Sequence, residues 1–203
     1  MATVIARNDL LKEAIIPPRA RILKAARELF YRYGIHSVGV DAIAEAADTN
    51  KTTLYRHFES KDELVAECLR ELGREFEATW AEIEQAHAGR PKDQLLAGLR
   101  FIAEFKLDAS RRGCALANAA VELPAPDHPA RRVIEEYKSR GRDRIVALCR
   151  KAGLRDPELL ADELFLLGVG ARVTLQSIGP RGPAERLVEM FQTLVAAHTP
   201  SGS

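Results

Sequence analysis

The chain has 203 residues, 46% of them hydrophobic and 29% charged, with a formal net charge of +1 at pH 7. Such a chain can bury a good core, and its balance of charge excludes a surface coated for nonspecific attraction to nucleic acid. Three cysteines, Cys68, Cys114 and Cys149, are odd in number and far apart, which fits a reducing compartment and argues against a disulfide framework or a zinc knuckle. No apolar run of about eighteen residues lacks charges, and the N-terminal stretch has neither an apolar signal region nor a small-residue cleavage site. A cytoplasmic protein without membrane association is expected.

In chain order, residues 1–17 read as a flexible arm. A helix follows over residues 19–33, started by Pro18 and stopped by Gly34, with Ile22, Ala26, Leu29, Phe30 and Tyr33 on one apolar stripe. A short helix comes next, with Gly39 at its cap and Ile43, Ala44 and Ala47 on the face to be buried. Asn50 is placed to cap a second short helix, in which Leu54 and Phe58 form an i, i+4 anchor. Lys51, Thr52, Tyr55 and Arg56 are then left pointing outward, the side-chain chemistry that base edges and phosphates require. Residues 1–61 hold ten Lys and Arg against seven Asp and Glu, so positive charge is concentrated at this end.

Taken together, PPRARILKAARELFYRYG, VDAIAEAAD and NKTTLYRHFESKDEL resemble the N-terminal DNA-binding domain of the TetR family of transcriptional regulators. The resemblance implies a helix-turn-helix domain over residues 18–61 and a ligand-binding and dimerisation domain over residues 62–200. It also implies that Lys51, Thr52 and Arg56 read bases, that Tyr55, His57 and Lys61 meet phosphates, and that Asn50 caps the helix while reaching the backbone. Two positions depart from the family pattern. Asp48 stands where the turn usually has Gly, and Asp tolerates a left-handed backbone. Gly39 stands where a hydroxyl residue usually caps the first short helix, and Gly is still an acceptable cap.

Strand signals are nearly absent, so the fold is expected to be all-α. Helix punctuation gives six further helices: residues 61 to about 85, 91 to about 109, 114–123, 129 to about 152, 157 to about 178 and 183 to about 198. With the three in front, that makes about nine, in the order the family shows. The helix over 157–178 is apolar nearly all round, and with the last helix it offers more apolar surface than one subunit covers. The resemblance implies a homodimer through these two helices, which is also what a short recognition helix needs to read two half-sites of a palindromic operator. A central core helix of a monomer is the other reading of the same apolar pattern.

An effector site is expected among the middle helices, where Phe76, Trp80, Phe101, Phe105, Leu116, Asn118, Val121 and Tyr137 supply aromatic walls and polar tips for a small apolar or aromatic molecule. Ordinary core packing explains most of these residues equally well. Cys114 has two readings. It lies at a helix start after Arg111, Arg112 and Gly113, where dipole and cations favour a reactive thiolate, or it is a small residue packing that start.

No enzyme, cofactor or metal centre is expected. GVGARV at Gly168 lacks the third glycine and the preceding strand of a dinucleotide site, Glu84 and His87 form a single carboxylate–histidine pair, and GIHSVG around Ser37 has the wrong spacing for a nucleophile elbow. The expectation is a homodimeric, ligand-responsive regulator of double-stranded DNA, a repressor by preference. The alternatives are electrophile or redox sensing through Cys114, and a helical ligand carrier or scaffold that binds no DNA.

Overall fold

The computed structural model describes residues 16–104, 113–179 and 181–200. Among them lie nine α-helices and no strand: α1 (Pro18–Tyr33), α2 (Val40–Ala46), α3 (Lys51–His57), α4 (Lys61–Ala86), α5 (Pro91–Glu104), α6 (Ala115–Glu122), α7 (Pro129–Lys151), α8 (Pro157–Ile178) and α9 (Leu187–Ala197). The expected extension of the fifth helix to about residue 109 falls outside the described residues. No described helix is long and apolar enough to cross a membrane. The chain divides into two compact units, the first ending at Cys68 and the second beginning at Leu69, so the division falls inside α4.

In the first unit α1 packs against α2 and α3. Ile22, Ala26, Ile43, Leu54 and Leu64 are completely buried, and Phe58 is nearly so. The buried face of α1 is broader than a single stripe, because Leu23 and Ala25 are buried as well. Tyr33 departs from the expected stripe: it is 56% exposed. It stands on the last turn of α1, where the chain has already turned away at Gly34, whose φ of 88° is in the left-handed region. Asp48 lies in the turn after α2 with φ 49°, and its carboxylate accepts from Arg21 at 3.1 Å. The left-handed turn that the family usually gives to Gly is thus built with Asp and tied back to α1.

The second unit is a bundle in which α7 packs on α5, α6 and α8, and α9 on α5 and α8. Its core contains Trp80, Leu95, Leu99, Ile145, Leu160, Leu164, Leu187 and Phe191. Trp80 fits only because Gly98 faces it: a Cβ at Gly98 would stand 2.0 Å from the indole ring. Tyr137 meets Gly73 in the same way at 2.1 Å. The last helix does not begin as one regular helix at Pro183. Pro183–Arg186 forms a 3-10 turn before α9, since Pro183 lacks an amide proton and the tighter turn satisfies Glu185 through the Gly182 carbonyl at 3.0 Å.

α8 is not covered on every side within the subunit. Leu160, Ala161, Leu164, Gly168 and Leu175 face the core. Leu159, Leu166, Val173 and Ile178 are 55%, 66%, 57% and 65% exposed.

Gly98→Ala is expected to lower stability by about 1 to 3 kcal/mol, because the added methyl must displace a buried indole ring. Chemical denaturation checks this. An unchanged midpoint would mean that Trp80 does not need the glycine.

Candidate nucleic-acid interface

The outward face of the first unit follows from how its smallest helix is held. α3 has seven residues, too few for a stable isolated helix. Its start is capped by Asn50, whose Oδ1 accepts from the Thr53 amide at 2.8 Å. Its end is anchored by Leu54, completely buried, and Phe58, 4% exposed. The Phe58 ring is in turn covered by the Arg19 guanidinium at 5.1 Å, itself ion-paired with Glu67 at 3.2 Å. α4 begins immediately afterwards, where the Ser60 hydroxyl accepts from the Glu63 amide at 3.0 Å.

With the apolar side fixed, Asn50, Lys51, Thr52, Tyr55, Arg56 and His57 are all exposed on α3 and its cap. Lys51 donates to Asp41 on α2 at 3.2 Å, and Arg56 donates to the Thr53 hydroxyl at 3.2 Å. The exposed face therefore presents Lys51, Arg56 and Tyr55 as hydrogen-bond donors within a seven-residue helix, a chemistry suited to base edges and phosphates. Lys61 stands apart from this set. It is part-buried, donates to the Ile35 carbonyl at 2.7 Å and lies 5.9 Å from the Phe30 ring centroid. It ties the start of α4 to the segment after α1, with the other protons of its ammonium left for an outside acceptor.

Sequence reasoning passed over Asp41 and Arg21. Asp41 is an acidic residue in the first turn of α2, a placement favoured by the helix dipole, and its reach to Lys51 depends on the angle between the two helices. Arg21 braces the Asp48 turn, a contact between residues far apart in the sequence.

In the second unit the expected effector residues have different fates. Phe76 and Phe101 come together as tilted rings with centroids 5.2 Å apart, and both are part-buried. Trp80 is 2% exposed under the Arg144 guanidinium, which stands 5.2 Å from its ring and is ion-paired with Glu77 and Glu84. Its Nε1–H is buried with no acceptor among the described residues. Tyr137 donates from its hydroxyl to the Arg70 carbonyl at 3.3 Å. Leu116 and Asn118 are part-buried on α6. Val121 is 84% exposed and cannot line an interior wall of the subunit. α6 has eight residues, and its one fully buried position is Ala119, so Val121 falls on the opposite side. Phe105 lies outside the described residues.

Cys114 caps α6 and is part-buried, with no side-chain cap hydrogen bond. Cys68 and Cys149 are buried, and burial pushes the Cys149 thiol up to about 11. The cations expected beside Cys114, Arg111 and Arg112, lie outside the described residues. Lys138 on α7 is close enough for its ammonium to feel Cys114.

Residues 22–68 match the family model of bacterial regulatory proteins of the tetR family. UidR, an HTH-type transcriptional regulator from Escherichia coli, is 47% identical over 57 residues, which are 28% of this chain and only 29% of that protein. The similarity to solved structures is far longer. A TetR-family transcriptional regulator from Streptomyces coelicolor superposes with a TM-score of 0.78 and 32% identity, over 89% of this chain and 93% of the other. A TetR-type protein from Streptomyces avermitilis is 33% identical with a TM-score of 0.78, over 90% of this chain and 98% of its own. A helix-turn-helix unit matched by the family model, joined to a helical bundle shared with such relatives along nearly their whole length, makes the chain a member of the TetR family of transcriptional regulators.

Proposed function

We propose that the protein is a homodimeric repressor that binds a palindromic DNA operator and is released from it by a small molecule. Family membership makes it a regulator rather than an enzyme. The observation that carries the DNA assignment is the geometry of α3, whose apolar side is locked while Lys51, Thr52, Tyr55 and Arg56 are exposed together. In this reading Lys51, Thr52 and Arg56 contact base edges, and Tyr55 and His57 contact phosphates. Asn50 caps the helix beside the backbone, and Lys61 mainly sets the position of α4.

The dimer reading is supported by the exposed side of α8. Leu159, Leu166 and Val173 recur at heptad spacing, the pattern of a helix that seats a second helix along its length. Two copies of α8 and α9 would close that surface and set the spacing of the two α3 helices. The effector reading is supported by the Phe76–Phe101 pair and by the buried Trp80 donor. Because α4 contributes residues to both units, an effector that prefers one placement of α4 would change operator affinity. A hundredfold change requires about 2.7 kcal/mol of differential affinity.

A second reading, electrophile or redox sensing through Cys114, is favoured by one contrast. Cys114 is part-buried beside the Lys138 ammonium, whereas the other two thiols are buried.

Selection from a random duplex library, followed by gel shift, is expected to yield a two-fold symmetric site. Lys51→Ala should relax preference at particular bases by about 1 to 3 kcal/mol each. If no duplex is enriched, the DNA reading fails. Leu166→Arg is expected to give a folded monomer by analytical ultracentrifugation and to lose operator binding. A variant that remains dimeric would remove α8 from the interface. For Cys114, N-ethylmaleimide is expected to label the native protein there and to spare Cys149. Cys114→Ser should keep operator binding and abolish release by the reagent, and unchanged release would end the sensing idea.

A further inference from the structure

The α7–α8 contact is laced with ion pairs, and this makes its exceptions informative. Arg142 on α7 forms two hydrogen bonds with Asp162 on α8, holding that carboxyl below the usual carboxylate range. Arg150 near the end of α7 pairs with Glu158. Elsewhere on α7, Arg144 pairs with Glu77 and Glu84 of α4. Lys138 and Arg172, both part-buried, have no carboxylate partner among the described residues. The Lys138 ammonium stands 5.6 Å from the Phe165 ring centroid on α8, and Arg172, two turns further along α8, is bonded through Nε to the Gly168 carbonyl of its own helix at 3.3 Å.

The start of α6 is brought to the same place. Gly113, with φ 77°, packs so closely on Gln176 that a Cβ there would stand 2.5 Å from its Nε2, and Gln176 is one turn beyond Arg172 on α8. Cys114, next in the chain, is the cap of α6 and gives its amides no side-chain acceptor. The first amides of a helix carry partial positive charge. A lysine, an arginine and a helix start therefore gather around Phe165 and Cys114, and each is a donor or a positive end.

This arrangement is costly in the form described. Burial pushes the Lys138 ammonium below its usual range, the thiolate form of Cys114 opposes that, and Arg172 adds to it. Among the described residues, the region lacks the negative charge that Asp162 and Glu158 supply elsewhere in the α7–α8 contact.

We propose that Lys138 and Arg172, with the first turn of α6, form a binding site for the oxyanion of the effector, a carboxylate or phosphate group. The site deepens the effector reading above and relies on it only for the regulatory meaning of occupancy. The guanidinium of Arg172 would receive two oxygens in its plane, and Lys138 would act as a point charge beside Phe165. The charged group of the effector would then be held between α6, α7 and α8, and its apolar part would decide which molecule is selected.

The test uses the full-length protein without DNA, followed by thermal unfolding in a buffer free of other oxyanions. Lys138→Met and Arg172→Met preserve most of the apolar stems and remove one charge each. Each variant is expected to melt about 2 to 4 °C above the unsubstituted protein, because the like charges no longer face each other unpaired. Sodium phosphate and sodium benzoate are the probes, with benzyl alcohol as the neutral arm. A saturable rise in melting temperature is expected for the unsubstituted protein with at least one anion, none with benzyl alcohol, and at least about tenfold weaker binding in either variant. A response to phosphate alone assigns a phosphate-bearing effector, and a response to benzoate alone a carboxylate. The proposal is overturned if both variants melt below the unsubstituted protein without anion, since the cations would then be holding the fold together. It is equally overturned if the double variant responds to the anions as the unsubstituted protein does, or if neither anion raises the melting temperature. Operator binding, measured separately by gel shift, keeps the two readings apart: intact binding with no anion response removes only the oxyanion site.

Discussion

A helix of seven residues cannot hold its own shape in water, and the first unit is organised around that constraint. Forming the first turn fixes several dihedral angles before hydrogen bonds repay the loss, so α3 exists because its neighbours make it exist. Leu54 contributes about 1.5 to 3 kcal/mol by full burial. The Asn50 cap contributes about 1 kcal/mol more. Phe58, clamped under Arg19, fixes where the helix stops. What is left outside is small, rigid and polar, and its rigidity comes from α1, α2 and the first turns of α4.

Much of this was legible because the signals were local. The Asn50 cap, the Leu54 and Phe58 anchors and the tolerance of Asp48 for a left-handed turn each depend on a few adjacent residues, and each appears in the fold as read. The boundaries of the later helices were legible for the same reason, since Pro129, Pro157 and the glycines at 153 and 179 punctuate the chain within single turns. What was not legible was lateral. Tyr33 satisfies the apolar periodicity of α1 and is still exposed, because periodicity gives the face of a helix and not how far along it a neighbour reaches. Val121 departs for the mirror reason: its side of α6 meets no neighbour among the described residues. The bond from Lys61 to the Ile35 carbonyl joins residues far apart in sequence, and it stands beside the phosphate contact that the resemblance implies.

The apolar character of α8 shows how one composition can serve two surfaces. One side, through Leu160, Leu164 and Leu175, completes the core of the bundle. The other, through Leu159, Leu166 and Val173, is left exposed among the described residues. Both sides are written with the same residue types, so sequence alone could indicate an excess of apolar surface and could not divide it. The division matters, because a monomer rarely keeps a continuous row of large aliphatic side chains in water without a use for it.

The same helix carries the electrostatic counterpart. Asp162 and Glu158 neutralise the cations near its start, whereas Arg172 and the facing Lys138 meet no acid farther on among the described residues. An unpaired cation at a surface costs almost nothing, but two in a part-buried contact oppose folding through both desolvation and mutual repulsion. A structure that tolerates this places the deficit where an outside group can correct it. The correction would act on α6, α7 and α8 together, and α8 is also the helix with the uncovered aliphatic row. An anion drawn between Lys138 and Arg172 would therefore change the setting of the helix on which the proposed pairing of subunits depends.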